Sequence, residues 1–303
     1  MINPYKNVKW ESVEYIKSMS HMHATNQERF ERAINAGYRH IAVTNYQPSV
    51  PTYPLSDFFT NIPEGVIGCP NTEKVYTLNN SVHFCSLGSF AVGHGHTEGK
   101  TATWQQAFSE IIEQLQFPDG GGITLNHPSS GDLEKYAECL DFDDRVLGIE
   151  IFNSCGRKIE GKHHPRYYTE FWDRVLSSGR RCWGFAVVDW MLQPENLGSN
   201  VLLVPAATEH ECLKAYRDGC YYMMIKDRGL RFTNLQFNDN KLDVAVNKDS
   251  EIKFITSRGE VKTVNGTSAT CEVSESDMYI RVEARELGDP DSHILSNPII
   301  FFK

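Results

Sequence analysis

The sequence predicts an α/β body of alternating strands and helices, followed by a small antiparallel β domain. Short apolar runs alternate with capped amphipathic segments as far as about residue 226. Several of these runs end in histidine or aspartate. From about residue 228 the helical pattern is lost, and short strand-like runs lie between Asn, Asp and Gly turns.

Composition sets the bounds. A chain of 303 residues has the size of one large domain, or of one domain with a small appendage. Its 40% hydrophobic and 23% charged content is ordinary for a globular protein. A formal charge of -9 argues against a surface that coats nucleic acid, while leaving room for local basic pockets. The eight cysteines include no Cys-x-x-Cys pair, so free, mostly buried thiols are expected rather than a disulfide framework. Met1 to Lys6 carry no apolar core of a secretion signal, and no apolar run approaches the ~20 residues of a spanning helix. The expectation is a cytoplasmic protein with no membrane partner.

The elements follow in order. A strand near Val13–Ile16 leads into Ser18-Met19-Ser20-His21-Met22-His23. Thr25 to Glu28 has the form of a capping box, and Phe30, Ala33 and Ile34 give a helix near 26–36, stopped by Gly37. His40 to Tyr46 reads as a buried strand, and 47–65 as a loop. Runs at 74–78 and 82–87, with Asn79-Asn80-Ser81 between them, predict a hairpin. A helix is expected at 102–116, then a strand at 123–128 after Gly120-Gly121-Gly122, and another at 146–153. A helix at 167–178, strands at 182–188 and 201–204, and a helix from Thr208 to Gly219 complete the body. In the β domain, strands are expected at 231–237, 251–255, 278–284 and 299–302. Trp104, Trp172, Trp183 and Trp190 read as core or wall residues, with Trp190 also placed to line a pocket beside Asp189.

In folds of repeated strand–helix units, functional residues gather at the carboxyl ends of the strands. Here those ends carry His21, His23, His83, His127 and Asp189. Any one of them alone could be a helix cap. All five are of metal-binding type. Two histidines two apart on a strand also present both rings on one face.

The order of motifs across roughly residues 14–226 resembles the polymerase-and-histidinol-phosphatase (PHP) domain family. The matching stretches are His21-Met22-His23, Thr44-Asn45-Tyr46, Glu73 ten residues before His83, Asn126-His127-Pro128, Ile149-Glu150-Ile151-Phe152-Asn153 and Gly184 to Asp189. The resemblance implies a distorted seven-stranded (β/α) barrel at 1–227, with the small β domain at 228–303. It also implies a metal-dependent phosphoesterase with a cluster of divalent ions (Zn, Mn or Fe). Its first ligand set would be His21, His23, Glu73 and Asp189, and its second Glu73, His83 and His127. Glu73 is preferred over Glu64 as the bridging carboxylate because it leads into a strand at hairpin distance from His83.

Departures from the family pattern occur at Met19, Asn45, Tyr46 and Met191, where family members carry an Asp, an Asp and two histidines. A protonated phenol and a thioether are poor ligands for a hard third ion. Two divalent ions are therefore expected, and His94, His96, His163 and His164 read as ordinary loop histidines rather than replacements. Asp189 and Glu73 are the expected catalytic carboxylates, with His163 or His164 as donor to the leaving group. Arg157 and Arg166, in the basic segment after Ser154, are expected to bind phosphate, and Tyr46 to hydrogen-bond the substrate. The expected partner is a small phosphorylated molecule. The alternatives are a degenerate, non-catalytic binding protein, and a metal-dependent hydrolase of amides or carbamates.

Overall fold

The computed structural model describes residues 1–46, 51–75, 82–91, 103–128, 132–160, 162–190, 197–289 and 291–301. The body opens with β1 (Glu14–Met22), α1 (Gln27–Asn35), β2 (His40–Val43), β3 (Ile67–Gly68), β4 (Glu73–Val75) and β5 (His83–Leu87). It continues with α2 (Trp104–Glu113), β6 (Gly122–Leu125), α3 (Leu133–Leu140), β7 (Val146–Ile159), β8 (Lys162–Tyr167) and α4 (Thr169–Ser177). Next come β9 (Trp183–Val187), β10 (Gly198–Val204), α5 (Glu209–Asp218) and β11 (Tyr221–Ile225). The remaining strands are β12 (Phe232–Asn238), β13 (Lys241–Thr256), β14 (Gly259–Glu272), β15 (Tyr279–Glu286), β16 (His293–Ser296) and β17 (Ile299–Ile300). No helix among the described residues is long and apolar enough to cross a membrane.

The α/β class holds, but the strands form two large mixed sheets rather than a clear seven-stranded barrel. One sheet runs β12-β13-β15-β16-β11-β10-β1-β2-β3, and the other β4-β5-β6-β7-β8 with β9 on β7. Pairing is mixed: β1–β2, β6–β7 and β7–β9 are parallel, whereas β1–β10, β4–β5 and β5–β6 are antiparallel. The sheets are stitched together in two places. The Asp189 N–H donates to His21 O and the His23 N–H to Asp189 O, both at 3.1 Å, and the Glu73 N–H donates to Thr44 O at 3.2 Å. These short junctions bring the ends of β1, β2, β4 and β9 together.

Alternation along strands sorts side chains into two cores. On β10, Leu202 and Val204 face the α/β core, whereas Val201 and Leu203 face a second cluster with Phe232, Leu235, Ile252, Phe254 and Val282. On β11, Tyr221 and Met223 join the first cluster, and Tyr222 and Met224 the second. The β10–β11 pair is thus a wall shared by both cores, and the ladder passes unbroken from β11 into β16. Trp172 and Trp183 are fully buried in the first core, and Trp172 Nε1 donates to Cys182 O at 2.9 Å. All eight cysteines are free, six of them buried.

Local signals explain most boundaries. Asn26, not Thr25, caps α1 and accepts from the Arg29 N–H, so the expected Thr25–Glu28 box does not form. Thr103 and Gln106 make a reciprocal box at α2. Gly121 (φ +66°) precedes β6, where a Cβ would lie 2.3 Å from Leu87 O, so only glycine fits this turn. The Asn79–Ser81 turn lies outside the described residues, although β4 and β5 do pair antiparallel. The segment after Ser154 is not a loop. β7 extends to Ile159 and folds back as β8, with Lys158 opposite His163.

A buried polar group under the body gives a pH test. His40 is wholly buried, with Nδ1 2.7 Å from Ser18 Oγ, and burial pushes its pKa from 6.5 to about 3. Between those values the unfolded chain binds a proton that the folded chain does not, so stability falls as pH falls. The expected slope is about 1.4 kcal/mol per pH unit from this residue. Urea unfolding at pH 6 and 4.5 should show a steeper acid loss for wild type than for His40→Gln. Equal slopes would contradict this.

Candidate metal centre

The sheet junctions assemble the site. The His21 and His23 rings lie one dipeptide apart at the end of β1, with Nε2 atoms 3.3 Å from each other. Glu73 Oε2 is 3.3 Å from His21 Nε2 and 2.9 Å from His23 Nε2. Asp189 Oδ1 stands 3.6 and 3.4 Å from the same two nitrogens. The other oxygen of Glu73, Oε1, is 3.2 Å from His83 Nδ1 and 3.3 Å from His127 Nε2. Two donor groups therefore converge, His21/His23/Glu73/Asp189 and Glu73/His83/His127, with donor atoms in each within 4.8 Å of one another. Glu73 turns one oxygen to each. Glu64, by contrast, is exposed and belongs to neither.

The donor chemistry fits divalent cations. Asp189 Oδ1 is buried without a hydrogen-bond donor, an arrangement that is costly unless a cation faces it. His21 Nδ1 lies 2.6 Å from Glu150 Oε1, a contact that holds a proton on Nδ1, so that a cation facing Glu73 and Asp189 would take the place of the proton on Nε2. Burial opposes protonation of His21, but the acidic groups around it (Cys85, Glu73, Asp189 and Glu150) outweigh burial and raise its pKa well above the usual value. Burial would also raise the Glu73 pKa, yet the His21 charge and hydrogen bonds from His127, His21 and His23 hold it well below the usual carboxylate range. A field of this sign favours a cation.

Backbone strain marks two of the donors. His127 (φ +25°) and Asp189 (φ +55°) both occupy the left-handed region as they leave β6 and β9. Each such residue costs on the order of 1–3 kcal/mol and persists only where its surroundings fix it. Here the His127 N–H donates to Glu150 Oε2 at 2.8 Å, and Asp189 is held by its two bonds to β1.

Exposure differs between the two groups. The side chains of His21, His23 and Glu73 are at most 1% exposed, whereas those of His83 and His127 are 28% and 26% exposed. Solvent reaches the cluster mainly at His83 and His127, and also at Asp189 of the first group, whose side chain is 11% exposed.

The other expected site residues are scattered around this centre. Tyr46 stacks on His23 with ring centroids 4.6 Å apart, and its hydroxyl donates to Glu73. Arg166 is exposed and lies over Tyr168, and its partner across the ladder is Asn153. For Arg157 and His163 the described structure gives backbone alone, on the β7–β8 hairpin. His164 is exposed there. His94, His96 and Met191 lie outside the described residues. Met19 is fully buried in the core rather than at the site.

Sequence reasoning gave no role to Glu150, Asn126 or Asn153. Asn126 Nδ2 donates to Glu73 Oε1 at 2.9 Å. Asn153 Nδ2 donates to Glu150 Oε2 at 2.9 Å and to Asp189 Oδ2 at 3.2 Å, tying both carboxylates together. The available signal was a charged residue in the middle of the apolar run Val146–Phe152.

No family model matches the chain. No curated protein matches it either. Among solved structures it is similar to a two-domain protein containing a predicted PHP-like metal-dependent phosphoesterase from Bacteroides vulgatus. The likeness has a TM-score of 0.50 at 12% identity and covers 99% of this chain and 98% of that one. At that identity it speaks for the fold alone.

Proposed function

We propose that this chain is a metal-dependent hydrolase of a small phosphoester, most simply a phosphate monoester, acting through two divalent ions (Zn, Mn or Fe). The observation that carries this reading is the division of Glu73 between two convergent donor groups. His21, His23 and Asp189 would complete one position, and His83 and His127 the other. When bound, such a pair of ions activates water and neutralises charge developing on a phosphoryl group. In this reading residues 1–227 are the metal-binding body, and 228–303 are a β unit that braces it.

The chain's own groups have distinct tasks. Glu73 holds the two positions at a fixed spacing. Asp189 accepts the proton of the attacking water, with Asn153 fixing its Oδ2 so that Oδ1 faces the histidines. Tyr46 occupies the place of a third ligand, steadies Glu73 through its hydroxyl, and is the residue assigned to hydrogen-bond the substrate. Arg157 and Arg166 supply positive charge from the β7–β8 hairpin, and His163 protonates the leaving oxygen. Drift to a mere binding protein would not be expected to spare two complete donor sets. Hydrolysis of an amide or carbamate would use the same centre, and the cationic hairpin favours phosphate.

Protein purified without chelator should hold about two equivalents of metal, and His127→Ala about one. Phosphate release from a broad phosphomonoester panel should fall about a hundredfold or more in the variant. Metal-replete protein that releases no phosphate from any member, yet cleaves an amide, would overturn the phosphoester reading.

A further inference from the structure

Arg29 stands in the first turn of α1, just beyond His21 and His23, and none of the ligand motifs includes it. Its guanidinium is half-buried and lies 5.2 Å from the ring of Trp190. Trp190 in turn stacks on His23, with ring centroids 4.0 Å apart and planes within 9°. The hydrogen bonds of Arg29 are two long ones, from Nη1 to His23 O at 3.5 Å and to Trp190 O at 3.4 Å. No carboxylate pairs with it among the described residues, and Nε and Nη2 have no protein acceptor there.

That situation contrasts with other arginines of the fold. Arg281 forks onto Asp173, Arg258 onto Asp277 and Arg145 onto Asp143. Arg217, which lacks a carboxylate, bonds three carbonyls at 2.6 to 3.3 Å. A guanidinium held by a tryptophan face and two weak carbonyl contacts is fixed in place, yet keeps donors to spare. Its anchors are the main chains of His23 and of Trp190, the residue after Asp189, so its position is tied to two donors of the first metal position. The nearby carboxylates would repel an approaching phosphate, and a planar, permanently charged fork at this rim offsets that repulsion.

We propose that Arg29 binds an oxyanion of the substrate beside the first metal position, clamped there by Trp190. This assignment rests on the phosphoester reading and names a recognition residue for it. Arg29 acts as a binding group, while Trp190 acts through it and is a positioning residue.

The test uses orthophosphate as the probe on metal-loaded full-length protein, followed by calorimetry, with metal content measured on the same samples. Arg29→Ala should weaken phosphate binding about tenfold or more while retaining the wild-type metal content, and Arg29→Lys should recover part of the loss. Trp190→Leu should weaken phosphate binding less than Arg29→Ala. In turnover, Arg29→Ala should raise KM more than it lowers kcat. Wild-type binding with Arg29→Ala within twofold of it would overturn the assignment and leave the phosphoester reading standing. Loss of metal in Arg29→Ala would make the residue a support of the metal centre, also against the assignment. Metal-loaded wild type that binds no phosphate would overturn both.

Discussion

Glu73→Ala should empty both metal positions together, taking bound metal from about two equivalents to near none, whereas loss of a ligand from one group costs about one. The asymmetry follows from geometry. Among the described residues Glu73 alone belongs to both donor groups, with Oε2 among His21, His23 and Asp189 and Oε1 between His83 and His127. It is also buried among groups that it compensates, since His21, His23, His127 and Asn126 all direct polar atoms at it. Glu73→Gln keeps the shape and one oxygen but removes the charge, so it should retain at most a weakly bound ion. Elemental analysis of the two variants beside His127→Ala checks the ordering. Retention of one full equivalent by Glu73→Ala would mean that the two groups do not share this carboxylate.

Arg281→Ala should cost roughly 3–5 kcal/mol of folding stability, the range for stranding buried charges by removal of their partner. The Arg281 side chain is 2% exposed, bonds Asp173 twice at 2.7 Å, donates to Glu283 Oε1 at 2.7 Å and lies over Trp172. Asp173 is on α4, whereas Arg281 and Glu283 are on β15, so this cluster ties the α/β body to the C-terminal strands. Burial alone would raise the Glu283 pKa. The hydrogen bond from His293 and the Arg281 charge outweigh burial and hold it down to about 2. A carboxylate depressed in this way stabilises the fold above its unfolded pKa and loses that contribution as pH falls toward 2. Without Arg281 part of that depression is lost while the His293 hydrogen bond remains, so the penalty of the substitution should shrink as pH falls from 7 to 4. Denaturant unfolding measures both quantities. A loss below about 1 kcal/mol would put the cluster in the class of surface ion pairs.

The strand ends were legible in the sequence because a polar residue that closes an apolar run has few structural roles. His21, His23, His127 and Asp189 stand out that way, whereas His83, expected at the carboxyl end of a strand, opens β5; the structure brings the donor atoms of all five into two groups. Glu73 has no such local mark. It opens a short strand, and its place was reached through the resemblance alone. Glu150 was hidden for another reason: its partner His21 is 129 positions away, and nothing local to β7 encodes that contact. Arg29 reads as an ordinary helix-surface arginine until Trp190 is seen beneath it.

The fold divides similarly. Helix periodicity and caps are local, and α1, α2, α4 and α5 follow from them. Helix α3 has the same signals, an Asp132 cap with Tyr136, Ala137 and Leu140 buried, but it is short and lies between two stronger elements, so the sequence does not single it out. Sheet order is not local. The pairing of β1 with β10 and of β11 with β16 joins distant segments, and with it the expected barrel became two mixed sheets. β14 lacked a signal because it lies at the edge of the sheet, mostly exposed, with no alternation of apolar residues.

The central claim is that two metal ions share Glu73. Anomalous diffraction from crystals of protein loaded with Mn or Zn tests it most directly. The account predicts two peaks about 3.5–4 Å apart, one beside His21, His23 and Asp189 and the other beside His83 and His127, with Glu73 between them. A single peak, or none at these residues in metal-replete protein, would contradict it.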